Sequence, residues 1–264
     1  MVNFIKGVVG GIGNIVPGLS GSLLLIILDV YESCIKALNE IVKFKNIKKN
    51  IIYLIPIALG IIGGTIFFGR IIEFFLYKWP MSTSYAFFGF ILGTIPYIFK
   101  SANKKGFKKS YIIIFFLTFF TGVIFGILSA FSTLQLSNIN FVNQLILGLT
   151  LAMSTIIPGI SSTVLLTMLG MYDIYLSALA KIDILFFVPV SIGFAIGVII
   201  FTRLISYLLK KYYGYTFYAI LGFSLATLPA VLRGSLGVNT VSLVSLIIMF
   251  FSYLITYTIF KKRV

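Results

Sequence analysis

The chain has 264 residues, of which 59% are hydrophobic and only 10% are charged, and its mean hydropathy is +1.11. This balance excludes a soluble domain and predicts an all-α integral membrane protein, since no short alternating segments typical of a barrel are present. The sequence has no histidine and a single cysteine, Cys34, which excludes disulfide frameworks, Cys/His zinc sites and histidine-dependent catalysis.

Basic residues outnumber acidic ones, with 21 lysines and arginines against six carboxylates and a net charge of +15. The excess lies in short loops between apolar runs, which is typical of cytoplasmic loops that face anionic lipid. We therefore expect these residues to set the membrane topology, and we expect no nucleic-acid partner.

The first predicted element is a broken apolar run near the N-terminus. Residues 10–38 read GGIGNIVPGLSGSLLLIILDVYESCIKAL, with Pro17 and Gly18 near the centre of the apolar part. Proline removes a backbone donor and clashes with the preceding turn, while glycine lets the chain reverse. The pattern predicts a re-entrant helical hairpin over residues 8–30 rather than a plain membrane span.

Three apolar segments follow this hairpin and predict transmembrane helices over 51–77, 84–99 and 111–130. A basic loop separates the hairpin from the first span, and a second basic loop separates the second span from the third. Hairpin and spans together form a first repeat over residues 1–135.

The second half of the chain repeats the first. Residues 151–179 match residues 10–38 at a constant offset of 141, and residues 188–205 match residues 55–72 at an offset of 133. The identical pairs include Ile15/Ile156, Pro17/Pro158, Gly18/Gly159, Ser20/Ser161, Tyr31/Tyr172, Gly60/Gly193, Gly64/Gly197 and Arg70/Arg203. Constant offsets over several segments indicate an internal duplication. The predicted second repeat covers 136–264, with a hairpin over 143–171 and spans over 184–209, 216–232 and 241–260.

Charge distribution predicts how the halves lie in the membrane. If each hairpin enters and leaves on one side, both termini, both five-lysine loops and the Lys210–Lys211 pair face the cytoplasm. Only Lys78, Lys181 and Arg233 then lie outside. Three spans per half make the halves inverted copies, an architecture in which secondary transporters build midplane sites from broken helices.

The two hairpin tips are candidate anion sites. A half-helix that begins after Pro-Gly at Ser20 or Ser161 presents free amides and the positive end of its dipole, and nearby hydroxyls add donors. The alternative is that these serines only cap helices and the glycines only permit close packing. The occurrence of the pattern at both tips favours a site.

Arg70 and Arg203 are arginines within apolar segments, and the repeat pairs them. A guanidinium binds phosphate through two parallel donors, so two arginines biased to opposite leaflets suit a phosphate that crosses the membrane. The alternative is that Arg70 snorkels to the outer interface.

Three carboxylates are candidates for proton coupling. Glu32 and Asp173 are paired by the repeat, and Glu73 lies three residues after Arg70 on the same helical face. Asp29 has no acidic counterpart, because Gly170 occupies its place. The alternative is that the paired carboxylates lie at the interface and satisfy lysines or helix ends.

The hairpin motifs NIVPGLSGS and IIPGISST, followed by Tyr31-Glu32 and by LLTMLGMYD, resemble those of the bacterial polyprenyl-phosphate transporter family. The resemblance covers nearly the whole chain and implies return of undecaprenyl phosphate, the carrier lipid of cell-wall synthesis, from the outer to the inner leaflet. It implies that Ser20, Gly21, Ser161, Arg70 and Arg203 contact the head group. The chain departs from the family pattern at Ser162, where glycine is usual, and at Asp173, where glutamate is common.

The sequence therefore predicts a flippase for a lipid monophosphate in the bacterial cytoplasmic membrane, with no cofactor, metal or catalytic residue. The predicted phosphate-binding residues are Asn14, Gly18, Ser20, Gly21, Ser22, Arg70, Gly159, Ser161, Ser162, Thr163 and Arg203. Proton or sodium coupling and the oligomeric state stay open. A transporter or channel for a small soluble anion is the alternative, and a lipid phosphatase lacks the histidine or carboxylate cluster that it would need.

Overall fold

The computed structural model describes residues 1–15, 20–131, 140–160, 162–181, 183–226, 228–229 and 243–261. All regular structure in this part of the chain is α-helical, which confirms the predicted class. The helices are α1 Val2–Ile15, α2 Gly21–Ile27, α3 Tyr31–Val42, α4 Ile47–Lys78, α5 Pro80–Ala102, α6 Ser110–Phe131, α7 Phe141–Ile156, α8 Ser162–Met168, α9 Tyr172–Lys181, α10 Ile184–Lys211, α11 Tyr213–Ala226 and α12 Leu243–Lys261.

Four of the described helices, α4, α5, α6 and α10, are long and apolar enough to cross a membrane. Their outward faces are also apolar: on α4, Ile55, Leu59, Ile62 and Ile66 are each about half exposed or more. Such a continuous apolar surface is stable against lipid but not against water. The prediction of a helical membrane protein is therefore confirmed.

Both apolar runs that contain Pro-Gly are broken into two helices. In the first, α1 ends at Ile15 and Ser20 has an extended backbone before α2 begins. In the second, α7 ends at Ile156, and Gly159 has a φ of +85°, a left-handed conformation that glycine adopts without steric cost. Residues 16–19, which include the predicted break at Pro17 and Gly18, lie outside the described residues.

Helix α1 crosses α4 as α7 crosses α10, with glycines at the contact. A Cβ at Gly7 would collide with the carbonyl oxygen of Ile57, and one at Gly148 would collide with that of Val190. The reverse contacts correspond in the same way, Gly60 with Phe4 and Gly193 with Leu145. Each pair follows the repeat offsets of 141 and 133. These glycines permit close helix packing.

A second pair of crossings joins the two halves of the chain. Helix α5 packs on α12 and α11 packs on α6, again at glycines. A Cβ at Gly89 would collide with the carbonyl oxygen of Met249, and one at Gly222 would lie too close to that of Phe115. The two equivalent carbonyls, of Phe115 on α6 and of Met249 on α12, are 134 positions apart, so an offset of 134 relates α6 to α12. Because each half supplies one helix to each crossing, neither half packs independently of the other.

Candidate functional site

A polar cavity of about 230 Å³ lies where the α2–α3 turn meets the C-terminal end of α5 and the start of α11. Its polar lining consists of Asp29, Glu32, Ser33, Tyr97, Ser101, Lys104 and Tyr213. Several groups that can carry charge or donate a hydrogen bond thus converge on one hollow, beside the buried side chains of Tyr31 and Phe217. A concave site with convergent polar groups is the expected form of a ligand-binding site.

Two tyrosines hold the carboxylates of this cavity. Tyr97 donates its hydroxyl to Asp29 Oδ1 at 2.5 Å, and Tyr213 donates its hydroxyl to Glu32 Oε1 at 3.0 Å. The partners are far apart in sequence, so the contacts tie the α2–α3 segment to α5 and to α11. These two hydrogen bonds fix both carboxylates at the cavity.

Asp29 has a backbone conformation that glycine usually occupies. Its φ is +55°, and the amides of Asp29 and Val30 donate to the carbonyls of Ile26 and Leu25, respectively. This is the hydrogen-bond pattern of a helix that ends in a left-handed residue. A non-glycine residue there costs on the order of 1 kcal/mol, although aspartate tolerates it better than most. The strained position places a carboxylate in the cavity.

The small cavity adjoins a larger one of about 720 Å³ that shares Glu32, Ser33, Lys104 and Tyr213 with it. Four lysines line the larger cavity: Lys36, Lys104, Lys105 and Lys210. The ammonium of Lys105 also lies 4.4 Å from the ring centroid of Tyr213. These four lysines outnumber the one carboxylate in the lining, Glu32, so the larger cavity, here called the vestibule, is net positive. A recess with an excess of positive charge raises the local concentration of anions.

The predicted residues of the first hairpin tip lie together. Ser20 and Ser22 are buried with their Oγ atoms 2.6 Å apart, and the amide of Gly21 donates to Asn14 Oδ1 at 3.0 Å. A Cβ at Gly21 would collide with that Asn14 oxygen, which explains the glycine. In the described part of the chain, none of these four residues lines the two cavities. The described side chains of Asn14, Ser20 and Ser22 thus bond within the tip in this conformation.

The second hairpin tip touches the first half of the chain. Tyr31 is buried and donates its hydroxyl to the carbonyl oxygen of Ile156 at 2.6 Å. Gly159 packs on α11, where an added Cβ would lie 3.0 Å from Ser224 Oγ. Ser162 is half-buried at the start of α8. The predicted contributions of Gly18 and Ser161, and of the side chain of Thr163, lie outside the described residues.

The predicted charged residues do not all meet at the cavities. Glu32 lines both cavities, whereas Arg203 on α10 is exposed and lines neither of them. Ser206, three residues further along α10, does line the vestibule. The described residues do not include the side chains of Arg70, Glu73 and Asp173. Roles for the two arginines in phosphate binding stay predictions.

Sequence reasoning missed most of the cavity. Asp29, Tyr97, Tyr213 and Lys104 were not among the predicted site residues, and the vestibule lysines were assigned to topology alone. One signal was available, since Asp29 breaks the repeat at the position where its copy is Gly170. Tyr213 breaks it as well, because the offset of 133 pairs it with Pro80.

A family model described as "VCA0040-like: Undecaprenyl phosphate translocase-like" matches residues 1–100 and 40–245. Among curated proteins, the chain is similar to a protein of Vibrio cholerae serotype O1 named "Polyprenyl-phosphate transporter", with 26% identity over 86% of this chain and 76% of the relative. A Staphylococcus aureus protein of the same name is 27% identical over 98% of this chain and 95% of the relative. No solved structure matches the chain significantly.

Proposed function

Because the chain belongs to the undecaprenyl phosphate translocase-like family, we propose that it carries a polyprenyl monophosphate across the bacterial cytoplasmic membrane, which would recycle the carrier lipid of cell-wall synthesis. The names of both relatives support this substrate class. The observation that carries the proposal is the lysine vestibule that leads to Asp29 and Glu32. It provides an anion path into a protein whose outer surface is apolar.

The proposed architecture is an inverted repeat, with one re-entrant hairpin and three spans in each half, over residues 1–135 and 136–264. The paired glycine crossings support it, because equivalent residues of the two halves make equivalent contacts. The extended backbone at Ser20 and the break after Ile156 support hairpins that turn back within the bilayer. Both termini and the vestibule lysines would face the cytoplasm, in keeping with the positive-inside tendency.

The vestibule lysines would attract the phosphate, and the two carboxylates would control how far it enters. At about 4 Å, two like unit charges repel by roughly 4 kcal/mol at an effective dielectric constant of about 20. A phosphate therefore reaches Asp29 and Glu32 more easily when a proton or a sodium ion neutralises them. This linkage makes Glu32 and Asp29 coupling candidates in this cavity, and Asp173 and Glu73 stay candidates by the repeat and by position.

Phosphate would then pass to the hairpins in a second conformation. There the donors would be Arg70, Arg203 and the tip residues Asn14, Gly18, Ser20, Gly21, Ser22, Gly159, Ser161, Ser162 and Thr163. Arg203 is exposed and Gly21 is bonded to Asn14 here, so both would change partners during the cycle. Fixed donors would replace the water that the anion loses, while the polyprenyl tail stays in lipid.

A small soluble anion is the second candidate substrate, because the lysine vestibule would attract inorganic phosphate as well. It differs from the lipid in needing no lateral opening to the bilayer. Binding of inorganic phosphate to the lysines is therefore expected in both cases. Only transport separates the two substrates.

Leaflet exchange tests the proposal directly. Purified protein in liposomes should exchange a fluorescent polyprenyl phosphate between leaflets, with and without a proton gradient, and should not take up radiolabelled inorganic phosphate. Glu32→Gln, Arg70→Ala and Arg203→Ala should each lower exchange at least tenfold, whereas Lys45→Gln, in an exposed loop away from the vestibule, should not. Uptake of inorganic phosphate without lipid exchange would favour the soluble anion. Release of phosphate from the lipid would indicate an enzyme.

A further inference from the structure

An apolar groove of about 510 Å³ lies between the end of α4, the start of α5 and α12. Its walls include Phe75, Trp79, Phe87, Val244 and Ile248. The hydroxyls at its edge are already bonded: Ser82 contacts Ser245 at 3.2 Å, and Thr83 donates to the carbonyls of Phe75 and Trp79. The groove therefore offers hydrocarbon and aromatic surface but few free polar groups.

The same position in the other half of the molecule is filled. Tyr215 is the residue of the second half that is equivalent to Ser82, and Tyr111 is the residue of the first half that is equivalent to Ser245. The two tyrosine rings pack with centroids 4.7 Å apart, and Ser110 and Tyr215 form a hydrogen bond of 2.8 Å. Two serines in place of two tyrosines thus leave the groove open. The two halves therefore differ in their packing at this place.

The groove and the polar cavity lie at opposite ends of α5. Ser82 borders the groove and Ser101 lines the cavity, and the two residues are 19 positions apart on one helix. That separation is about 28 Å at roughly 1.5 Å per residue, close to the roughly 30 Å of a bilayer's hydrocarbon core. The groove therefore lies near the membrane face opposite the lysine vestibule.

A cation stands at the rim of the groove. The ammonium of Lys78 lies 4.5 Å from the ring centroid of Trp79, which lines the groove, and 5.6 Å from that of Phe74. Apolar walls beside one exposed cation complement an amphiphile that has a hydrocarbon tail and an anionic head. A neutral lipid gains nothing from Lys78, and a soluble anion gains nothing from the groove.

We propose that this groove binds the tail of the polyprenyl phosphate substrate in the outer leaflet, with Lys78 beside the phosphate. The inference rests on the proposed function and extends it, because it assigns a loading site on the face opposite the vestibule. The bound segment is the part of the tail next to the head group, since Lys78 borders the wall residue Trp79.

Trp79 is the only tryptophan in the chain, so its fluorescence reports on the groove alone. The probe is a polyprenyl phosphate with bromine atoms on the isoprene units next to the phosphate, compared with a brominated phosphatidylglycerol in the same liposomes. We expect at least threefold stronger quenching by the polyprenyl phosphate at equal mole fraction. Unlabelled polyprenyl phosphate should relieve it, and unlabelled polyprenol should relieve it less. Equal quenching by both brominated lipids would overturn the proposal.

Two variants separate groove and cation. Ala86→Phe fills the groove and should reduce the selective quenching at least threefold, whereas Ile113→Phe, which adds a ring at an exposed position of α6, should leave it unchanged. Lys78→Gln, at an exposed side chain, should remove most of the preference for the phosphate over the polyprenol. Retention of full selectivity in Lys78→Gln would also overturn the proposal.

Leaflet exchange by the unmodified protein keeps the two proposals distinguishable. Exchange without selective quenching of Trp79 would reject the groove and leave the transport function standing. Selective quenching without exchange would support the groove and reject transport.

Discussion

The turns that follow α2 and α8 have the same backbone geometry but different residues at the same place. In both, the amide after the left-handed residue reaches back five positions, from Val30 to Leu25 and from Met171 to Leu166. The left-handed residue is Asp29 in the first turn and Gly170, with a φ of +68°, in the second. The second turn has the residue that the backbone prefers. The first has an aspartate, whose carboxylate lines the cavity and accepts the bond from Tyr97.

The two turns indicate how a duplicated scaffold can acquire a site in one half. The contacts that hold the helices together follow the repeat, as at Gly7 and Gly148. The groups of the cavity do not, because Gly170 has no side chain that could accept the bond that Asp29 accepts from Tyr97. The shared part of the two halves is therefore architecture, and the departures from the repeat mark the candidate chemistry.

Asp29→Gly makes the two turns alike and should have the largest effect. Leaflet exchange of a fluorescent polyprenyl phosphate should fall at least tenfold, because the carboxylate that would bind the coupling proton or sodium ion is lost. Stability should change little, because glycine relieves about 1 kcal/mol of left-handed strain but the hydrogen bond from Tyr97 is lost. Exchange in liposomes and thermal unfolding in detergent measure the two effects on one preparation.

Two further variants test this interpretation of the turns. Asp29→Asn keeps a residue that tolerates the left-handed region and an oxygen that can accept from Tyr97, but it removes the charge, so it should lower exchange with little change in stability. Gly170→Asp should destabilise the protein without raising exchange. If Asp29→Gly exchanges lipid normally, the carboxylate has no role and the comparison loses its functional meaning.

Gly7→Ala and Gly148→Ala test the part in which the halves agree. Each added methyl would meet a main-chain carbonyl, of Ile57 and of Val190, so each variant should lose about 1–3 kcal/mol of stability. The losses should be similar, because the two crossings have the same register. Gly63→Ala is the control, since a Cβ there meets nothing within 4 Å and alanine favours a helix. Strongly unequal losses at Gly7 and Gly148 would contradict the equivalence of the crossings.

Much of the fold could be predicted because its signals are local. Pro-Gly within an apolar run indicated where α7 ends, and the constant offsets indicated that one half of the chain copies the other. The predicted spans 51–77, 84–99 and 111–130 all fall within described helices, although α4 begins four residues earlier. Its polar first turn, with Lys48 and Lys49, continues the helix beyond the apolar run.

The cavity could not be predicted in the same way because it is made by packing between distant segments. The hydrogen bond from Tyr213 to Glu32 joins residues 181 positions apart, and the sequence around either residue does not indicate that they meet. Symmetry also pointed elsewhere. The repeat drew attention to Arg70 and Arg203, whereas Asp29, Tyr97 and Tyr213, which converge on the cavity, have no equivalent of the same type in the other half.

Tyr31→Phe tests whether the halves depend on each other at the hairpins. The hydroxyl of Tyr31 donates to the carbonyl of Ile156, the last residue of α7, where helix carbonyls lack the partners of a continuing helix. Its removal leaves a buried carbonyl without this partner, so unfolding free energy should fall by about 1–2 kcal/mol. Tyr77→Phe, at a side chain that is 90% exposed, should change nothing. An unchanged melting temperature in Tyr31→Phe would mean that this contact does not hold the hairpins together.

The smallest expected effect lies at the junctions before α4 and α10, where the halves again use different residues. Before α10, Asp183 caps the helix by accepting from the amide of Phe186. Before α4, Glu40 accepts from the side-chain amides of Asn50 at 3.0 Å and Asn46 at 3.2 Å. These hydrogen bonds, with smaller contributions from nearby lysines, lower the pKa of the Glu40 carboxyl.

A lowered pKa means that the folded state favours the charged form of Glu40. Its contribution to stability is therefore present above the ordinary glutamate pKa of about 4.3 and is lost as the pH falls through the lower pKa of the folded protein. In Glu40→Gln, the melting temperature should fall less steeply than in the unmodified protein as the pH falls through this range. Near neutral pH the two melting temperatures should be nearly equal, because solvent screens an exposed site. Lys45→Gln serves as the matched loop control. The prediction is wrong if the melting temperatures of both variants match that of the unmodified protein down to pH values below the pKa of Glu40 in the folded state. The amides of Asn46 and Asn50 would then not favour the charged carboxylate, and helix packing alone would hold the α3–α4 junction.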